Sequence, residues 1–158
     1  MEFALDADII STFAKINRLS LLKSVFGRQT ILVPQAVRID LEKSKDQAVR
    51  ESAISPLFIF TELSDIEAGF LNSFSWQKNL GRGEMECIAL AKCRNAALVT
   101  NDQQAIHFAE NLHLEVIDLQ TILFSLKEIV PRESLKELIR EIEKKDKVII
   151  PDKEEILS

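Results

Sequence analysis

The sequence predicts an α/β fold, a parallel sheet with crossover helices packed against it. Short apolar runs alternate with segments of helical periodicity along most of the chain, and acidic residues stand where an apolar run ends or a helix begins. At 158 residues and 46% hydrophobic content the chain is long enough for one substantial core.

The first apolar run is Phe3-Ala4-Leu5, followed by helical periodicity from Asp8 to about Phe26, with Gly27 suited to stop that helix. Ile31-Leu32-Val33 is the second strand. Pro34 then opens a helix to about Glu42, since proline is at home in a first turn. A helix over Asp46 to Ala53 leads to Leu57-Phe58-Ile59-Phe60, which reads as a third strand or as a buried connector. Ser64 to Phe74 is helical, and Gly81 and Gly83 punctuate the start of a helix over Arg82 to Arg94. Ala97-Leu98-Val99 is the fourth strand, Gln103 to Leu112 a helix, and Leu114-Glu115-Val116-Ile117 the fifth strand. A short helix after Asp118 reaches Lys127. Beyond Pro131, Leu135, Leu138, Ile139 and Ile142 recur on one helical face with a Lys/Glu back. The tail carries Val148-Ile149-Ile150-Pro151, an apolar patch expected to dock on its own domain, with contact to a second copy of the chain as the alternative.

Composition excludes several classes. Charged residues are 28% of the chain, with only four Gly and four Pro, so no long disordered or low-complexity segment is expected. A formal net charge of −5 is incompatible with holding nucleic acid by a broad basic surface; a phosphate partner would have to be met locally, by bound cation and neighbouring Lys and Arg. Met1 to Leu5 run directly into an apolar strand without a basic leader, and no apolar stretch is long enough to span a bilayer. Cys87 and Cys93 lie six residues apart in one predicted helix, which fits neither a disulfide framework nor a zinc pair. A reduced cytoplasmic setting is the simplest expectation.

Four carboxylates attract chemistry. Asp6 follows the first strand and Asp102 the fourth, so both fall at the carboxyl edge of the predicted sheet, where they could share one ion. Aspartate after a strand is also a good N-cap. Asp8 is the expected cap of its helix, leaving Asp6 free to point into the crevice. On a helical wheel Glu84 falls between Cys87, Ile88 and Ala91 on the apolar arc and Glu86 falls elsewhere. Glu84 therefore needs a cation or strong donors, while its first-turn position favours the charged form. Asp40 lies near the end of its own helix, where a negative charge opposes the dipole and calls for compensation. His107, His113 and Trp76 read as surface or packing residues, and no phosphate-binding glycine loop or nucleophilic triad is present.

Phe3-Ala4-Leu5-Asp6-Ala7-Asp8, Val33 to Leu41, Leu80-Gly81-Arg82-Gly83-Glu84-Met85-Glu86 running into an alanine-rich helix, and Leu98-Val99-Thr100-Asn101-Asp102 together resemble the PIN-domain family. The resemblance spans Met1 to about Lys127, and helices and a tail like those after Glu128 occur in uncharacterised prokaryotic members. It divides the chain into a PIN-like nuclease domain, 1–127, and a helical extension with tail, 128–158, packed on that domain.

The resemblance implies a three-layer α/β/α domain with a central, mostly parallel sheet, acting as an endoribonuclease on single-stranded RNA with Mg²⁺ or Mn²⁺. It places Asp6, Asp40, Glu84 and Asp102 in the catalytic set, with Asp6, Glu84 and Asp102 as metal ligands and Asp8, Asn101 and Asp118 as supporting positions around them. Two departures stand out. Family members commonly carry Glu where Asp40 stands, so this shorter side chain is expected to act through water, and Asp8 replaces a small hydroxyl or amide residue. Many small prokaryotic members are toxins similar to VapC, inhibited by an antitoxin partner that occupies the acidic groove. Two alternatives remain open: a PIN-like domain that binds RNA or protein without cutting, and a haloacid-dehalogenase-like phosphatase, suggested by the Asp6-Ala7-Asp8 triplet.

Overall fold

Residues 1–73 and 79–158 are described by a computed structural model. In chain order its elements are β1 (Glu2–Leu5), α1 (Ala7–Lys15), α2 (Leu19–Phe26), β2 (Thr30–Pro34), α3 (Gln35–Glu42), α4 (Gln47–Ser52), β3 (Ile59–Thr61), α5 (Asp65–Asn72), α6 (Arg82–Arg94), β4 (Ala97–Val99), α7 (Gln103–Asn111), β5 (Val116–Ile117), α8 (Leu119–Leu126), α9 (Arg132–Asp146) and α10 (Lys153–Leu157). The strands form one all-parallel sheet in the order β3-β2-β1-β4-β5. This is the three-layer α/β/α arrangement expected.

The central strands β1, β2 and β4 are buried apolar runs, as a sheet covered on both faces requires. The chain moves from β1 outward to β2 and β3, then crosses back to β4 on the other side of β1. Crossovers of the usual right hand would put α1 and α2 on one face of such a sheet and α6 and α7 on the other. Helices α8 and α9 pack on α2 and α1 respectively, and α6 packs against β1, β2 and β4. Leu135, Leu138, Ile139 and Ile142 of α9, together with Ile150 and Ile156, join the same buried cluster as Leu5, Phe13 and Leu98.

Several boundaries differ from the sequence reading. The helix expected from Asp8 to Phe26 is two helices, broken at Asn17, which takes a left-handed conformation at φ 57°. The Asn17 amide donates to the Ala14 carbonyl at 3.0 Å and the Arg18 amide to Phe13 at 2.8 Å, a Schellman stop built on asparagine rather than glycine. Gly27 does end α2, at φ 60°. Pro34 is the N-cap of α3, one residue before its first turn. The third apolar run is a true strand, although displaced toward Thr61, and β5 is shorter than expected. Helix α10 follows the tail patch, of which Ile150 is buried while Val148 and Ile149 are exposed, Ile149 at 84%. Phe74 and Trp76 lie outside the described residues. Among the described residues no helix is long and apolar enough to cross a membrane.

Candidate active site

The strand order reverses between β1 and β4, which pair in parallel with Leu5 opposite Val99, and the residues after both strands therefore leave the sheet side by side. Asp6 and the segment Thr100 to Asp102 occupy that position. The Asp6 amide donates to the Val99 carbonyl at 3.0 Å, extending the ladder by one bond.

Asp6 is 4% exposed and, contrary to expectation, it is the N-cap of α1, while Asp8 sits inside the first turn. The strand ends at Leu5 and the helix begins at Ala7, so the intervening residue is the one in cap conformation. Asp6 Oδ1 accepts from the Ala7 amide at 2.8 Å and Oδ2 from the Thr100 hydroxyl at 2.9 Å. Burial, reinforced by the charges of Asp8 and Glu84, pushes its carboxyl up to about 7, against the two donors that favour the charged form.

Asp8 bridges two elements. Its Oδ1 accepts from the Ile9 amide at 2.8 Å and its Oδ2 from the Asn101 amide at 2.9 Å, on the loop after β4. Its carboxyl is raised by burial, with Asp102 adding like charge. Asp102 caps α7 by accepting from the Ala105 amide at 2.8 Å, while its own amide donates to the Thr100 hydroxyl oxygen at 3.2 Å. Thr100 is fully buried and joins the Asp6 carboxylate to the Asp102 backbone. The sequence reading missed this role, and the available signal was a hydroxyl residue ending an otherwise apolar strand beside two acids.

Glu84 is half-buried in the first turn of α6, where it accepts from the Gly81 amide and caps its own helix. Burial raises its carboxyl, followed by the charges of Asp102, Asp8 and Asp40, with the Gly81 bond acting the other way. The wheel misjudged its neighbour: Glu86 is the more buried acid, because α3 packs over that side of α6. Glu86 accepts from the Ala36 amide at 3.1 Å and pairs with Arg82 at 2.9 Å.

Asp40 is exposed in the last turn of α3, yet its carboxylate rests on the start of α6: a Cβ placed on Gly83 would lie 3.0 Å from Asp40 Oδ2. That contact partly buries the carboxyl and raises it, opposed by Lys43 and aided by Glu86. The compensation its position demanded comes from Lys43 and the positive end of α6.

The supporting positions are mixed. Asn101 Oδ1 accepts from the Leu119 amide at 3.4 Å, and Asp118 caps α8 through the Thr121 amide and hydroxyl. His107 and His113 are exposed, Cys87 is buried with its thiol donating to the Leu5 carbonyl, and Cys93 is exposed; both thiols are free.

Asp6, Asp8, Asp40, Glu84 and Asp102 thus act on one another as charges, and no ion pair among the described residues involves any of them. Hard oxygen donors without a counter-cation suit a hard divalent ion. The same carboxylates are turned into helix caps, and among the described residues no three His, Cys, Asp or Glu converge as a ready ligand set. The donor set fits Mg²⁺ or Mn²⁺ in chemistry and charge, and its side chains would have to turn from their capping bonds to close on one.

The sequence model of the PIN-domain family matches residues 2–155. The chain belongs to the PIN-domain family. The phosphatase alternative is thereby set aside. Two solved structures share the PIN fold at low identity. A chain of VapBC2 from Rickettsia felis, crystallised bound to a DNA fragment from their promoter, is 23% identical, with a TM-score of 0.51 over 75% of this chain and 98% of that one. A PilT N-terminus domain protein from the hyperthermophilic archaeon Sulfolobus solfataricus P2 is 22% identical, with a TM-score of 0.52 over 79% of this chain and 92% of that one. No curated protein matches the chain.

Proposed function

We propose that this PIN domain is a metal-dependent endoribonuclease that hydrolyses phosphodiester bonds of single-stranded RNA. The observation that carries the reading is that Asp6, Asp8, Glu84 and Asp102, from three separate segments, act on one another as like charges, with Asp6 buried and no ion pair to any of them among the described residues. Asp6, Glu84 and Asp102 would hold Mg²⁺ or Mn²⁺, which when bound supplies a Lewis acid that activates water toward a phosphodiester.

The chain's own residues do the rest. Thr100 orients the Asp6 carboxylate and ties it to Asp102. Asp8 fixes the loop after β4 through the Asn101 amide. Asp40, at the exposed rim, would take a proton from water in this reading. Residues 1–127 form the nuclease unit in this reading and 128–158 an extension packed on it. A protein partner of the antitoxin kind is proposed by analogy with VapBC2, and a second copy of the chain is the other candidate partner.

The test compares cleavage of single-stranded RNA by the wild type and by Asp6→Asn, with Mn²⁺ and with chelator. Cleavage is expected only with wild type and metal; cleavage indifferent to both changes overturns the mechanism. A second reading, a PIN domain that binds RNA or protein without cutting, is favoured by the capping bonds that already occupy Asp6, Asp8, Glu84 and Asp102. RNA binding without cleavage at any Mn²⁺ concentration would select it.

A further inference from the structure

Helix α3 starts without a side-chain cap of its own, because its N-cap is Pro34. Its first amides still need acceptors. One acceptor comes from 50 residues away: Glu86 Oε1 takes the Ala36 amide at 3.1 Å in a buried bond. The other oxygen, Oε2, takes Arg82 Nε at 2.9 Å, so the buried charge of Glu86 is met by a guanidinium and by the positive end of α3.

Ala36 and Asp40 are four residues apart and share one face of α3, while Gly83 and Glu86 are three apart and share one face of α6. These faces meet. At Gly83 an added Cβ would lie 3.0 Å from Asp40 Oδ2 and 3.2 Å from Val37 Cγ2, so the helices touch there as closely as a glycine permits. At Glu86 the contact is the hydrogen bond to Ala36. Two contacts one turn apart on each helix fix both the separation and the rotation of α3.

We infer that Glu86 is a positioning residue of the acidic site: from α6 it holds the start of α3 and so sets where Asp40, at the far end of the same face, stands relative to Glu84. With both of its oxygens committed to Ala36 and Arg82, Glu86 contributes through α3. This role rests on the nuclease reading for its consequence in cleavage, and on the packing of α3 against α6 for its effect on the site.

The test is a double-mutant cycle with Glu86→Ala, Asp40→Asn and the double variant, with Glu86→Gln as the conservative control, read by Mn²⁺ affinity and by single-turnover RNA cleavage. Glu86→Gln keeps an oxygen for the Ala36 amide and is expected within about threefold of wild type, whereas Glu86→Ala is expected to lose about tenfold or more in rate and to weaken Mn²⁺ binding. In the Asp40→Asn background the Glu86→Ala change is expected to add nothing further. Full additivity, or wild-type behaviour of Glu86→Ala, overturns the inference. If Glu86→Ala does not fold, Glu86→Asp, which keeps the charge and withdraws it by one methylene, takes its place in the cycle. If the wild type cleaves no RNA, the nuclease reading fails and the Mn²⁺ cycle alone decides the role of Glu86; a wild type that also binds no Mn²⁺ overturns both.

Discussion

Thr100 and Asp6 share a buried hydrogen bond of 2.9 Å across the switch point of the sheet, and the same hydroxyl oxygen receives the Asp102 amide at 3.2 Å. One side chain at the end of β4 thereby orients the acid at the end of β1. A bond made by a donor to a buried carboxylate is strong because the alternative is an uncompensated charge.

Thr100→Val, close in shape and lacking the hydroxyl, is expected to destabilise the fold by about 1–3 kcal/mol at neutral pH. The loss should be greater at pH 8 than at pH 5, since the missing donor serves the ionised form of Asp6. Urea denaturation at both pH values measures this, and an equal loss at the two would show that the hydroxyl matters only for packing.

The metal-free protein is expected to lose stability as pH rises from about 4 to about 7. Asp6 is pushed up to about 7, with Asp8, Asp40 and Glu84 raised beside it, so the folded state holds protons that the unfolded chain has released. More protons bound in the folded state means that unfolding becomes easier with increasing pH. Added Mn²⁺ should restore stability at pH 8 and do little at pH 5. Calorimetry across that range, with and without metal, checks both signs.

Two glycines make a matched pair. Gly69 lies within α5 with open space where a Cβ would go, so Gly69→Ala is expected to stabilise by about 0.5–1 kcal/mol. Gly83 lies in α6 against Val37 and Asp40, so Gly83→Ala is expected to lower the melting temperature despite the same gain in helix propensity, and to weaken Mn²⁺ affinity by displacing Asp40. Thermal melts of the two variants side by side would refute the close-approach argument if both rose.

Arg94→Ala is expected to destabilise by about 3 kcal/mol. Arg94 pairs at 2.5 Å with Glu67, which is buried and whose carboxyl is held below its usual range by Arg94 and by the Ser64 amide, against its burial. Removing the guanidinium leaves the charge with the Ser64 cap alone. Glu67→Gln with Arg94→Ala together should recover part of the loss, which denaturant titration of the three variants would measure.

Where apolar periodicity and caps agreed, the elements were legible in the chain. Phe3 to Leu5, Ile31 to Val33 and Ala97 to Val99 are strands as read, because buried parallel strands are short uninterrupted apolar runs. The break at Asn17 was not legible, since the apolar pattern continues through it and only a left-handed asparagine marks the stop. The four acids were likewise visible as positions at element ends, but which of them caps a helix was misassigned between Asp6 and Asp8 by a register of two residues.

The order of elements, the central strands and the acids at the ends of β1 and β4 follow from the sequence by itself, because periodicity and end signals are local properties of the chain. The burial of Glu86, the seating of Asp40 on Gly83 and the bridge from Thr100 to Asp6 were decided by tertiary structure. They join segments 50, 43 and 94 residues apart, and which face of a helix meets a distant neighbour depends on how α3, α6 and the sheet pack together.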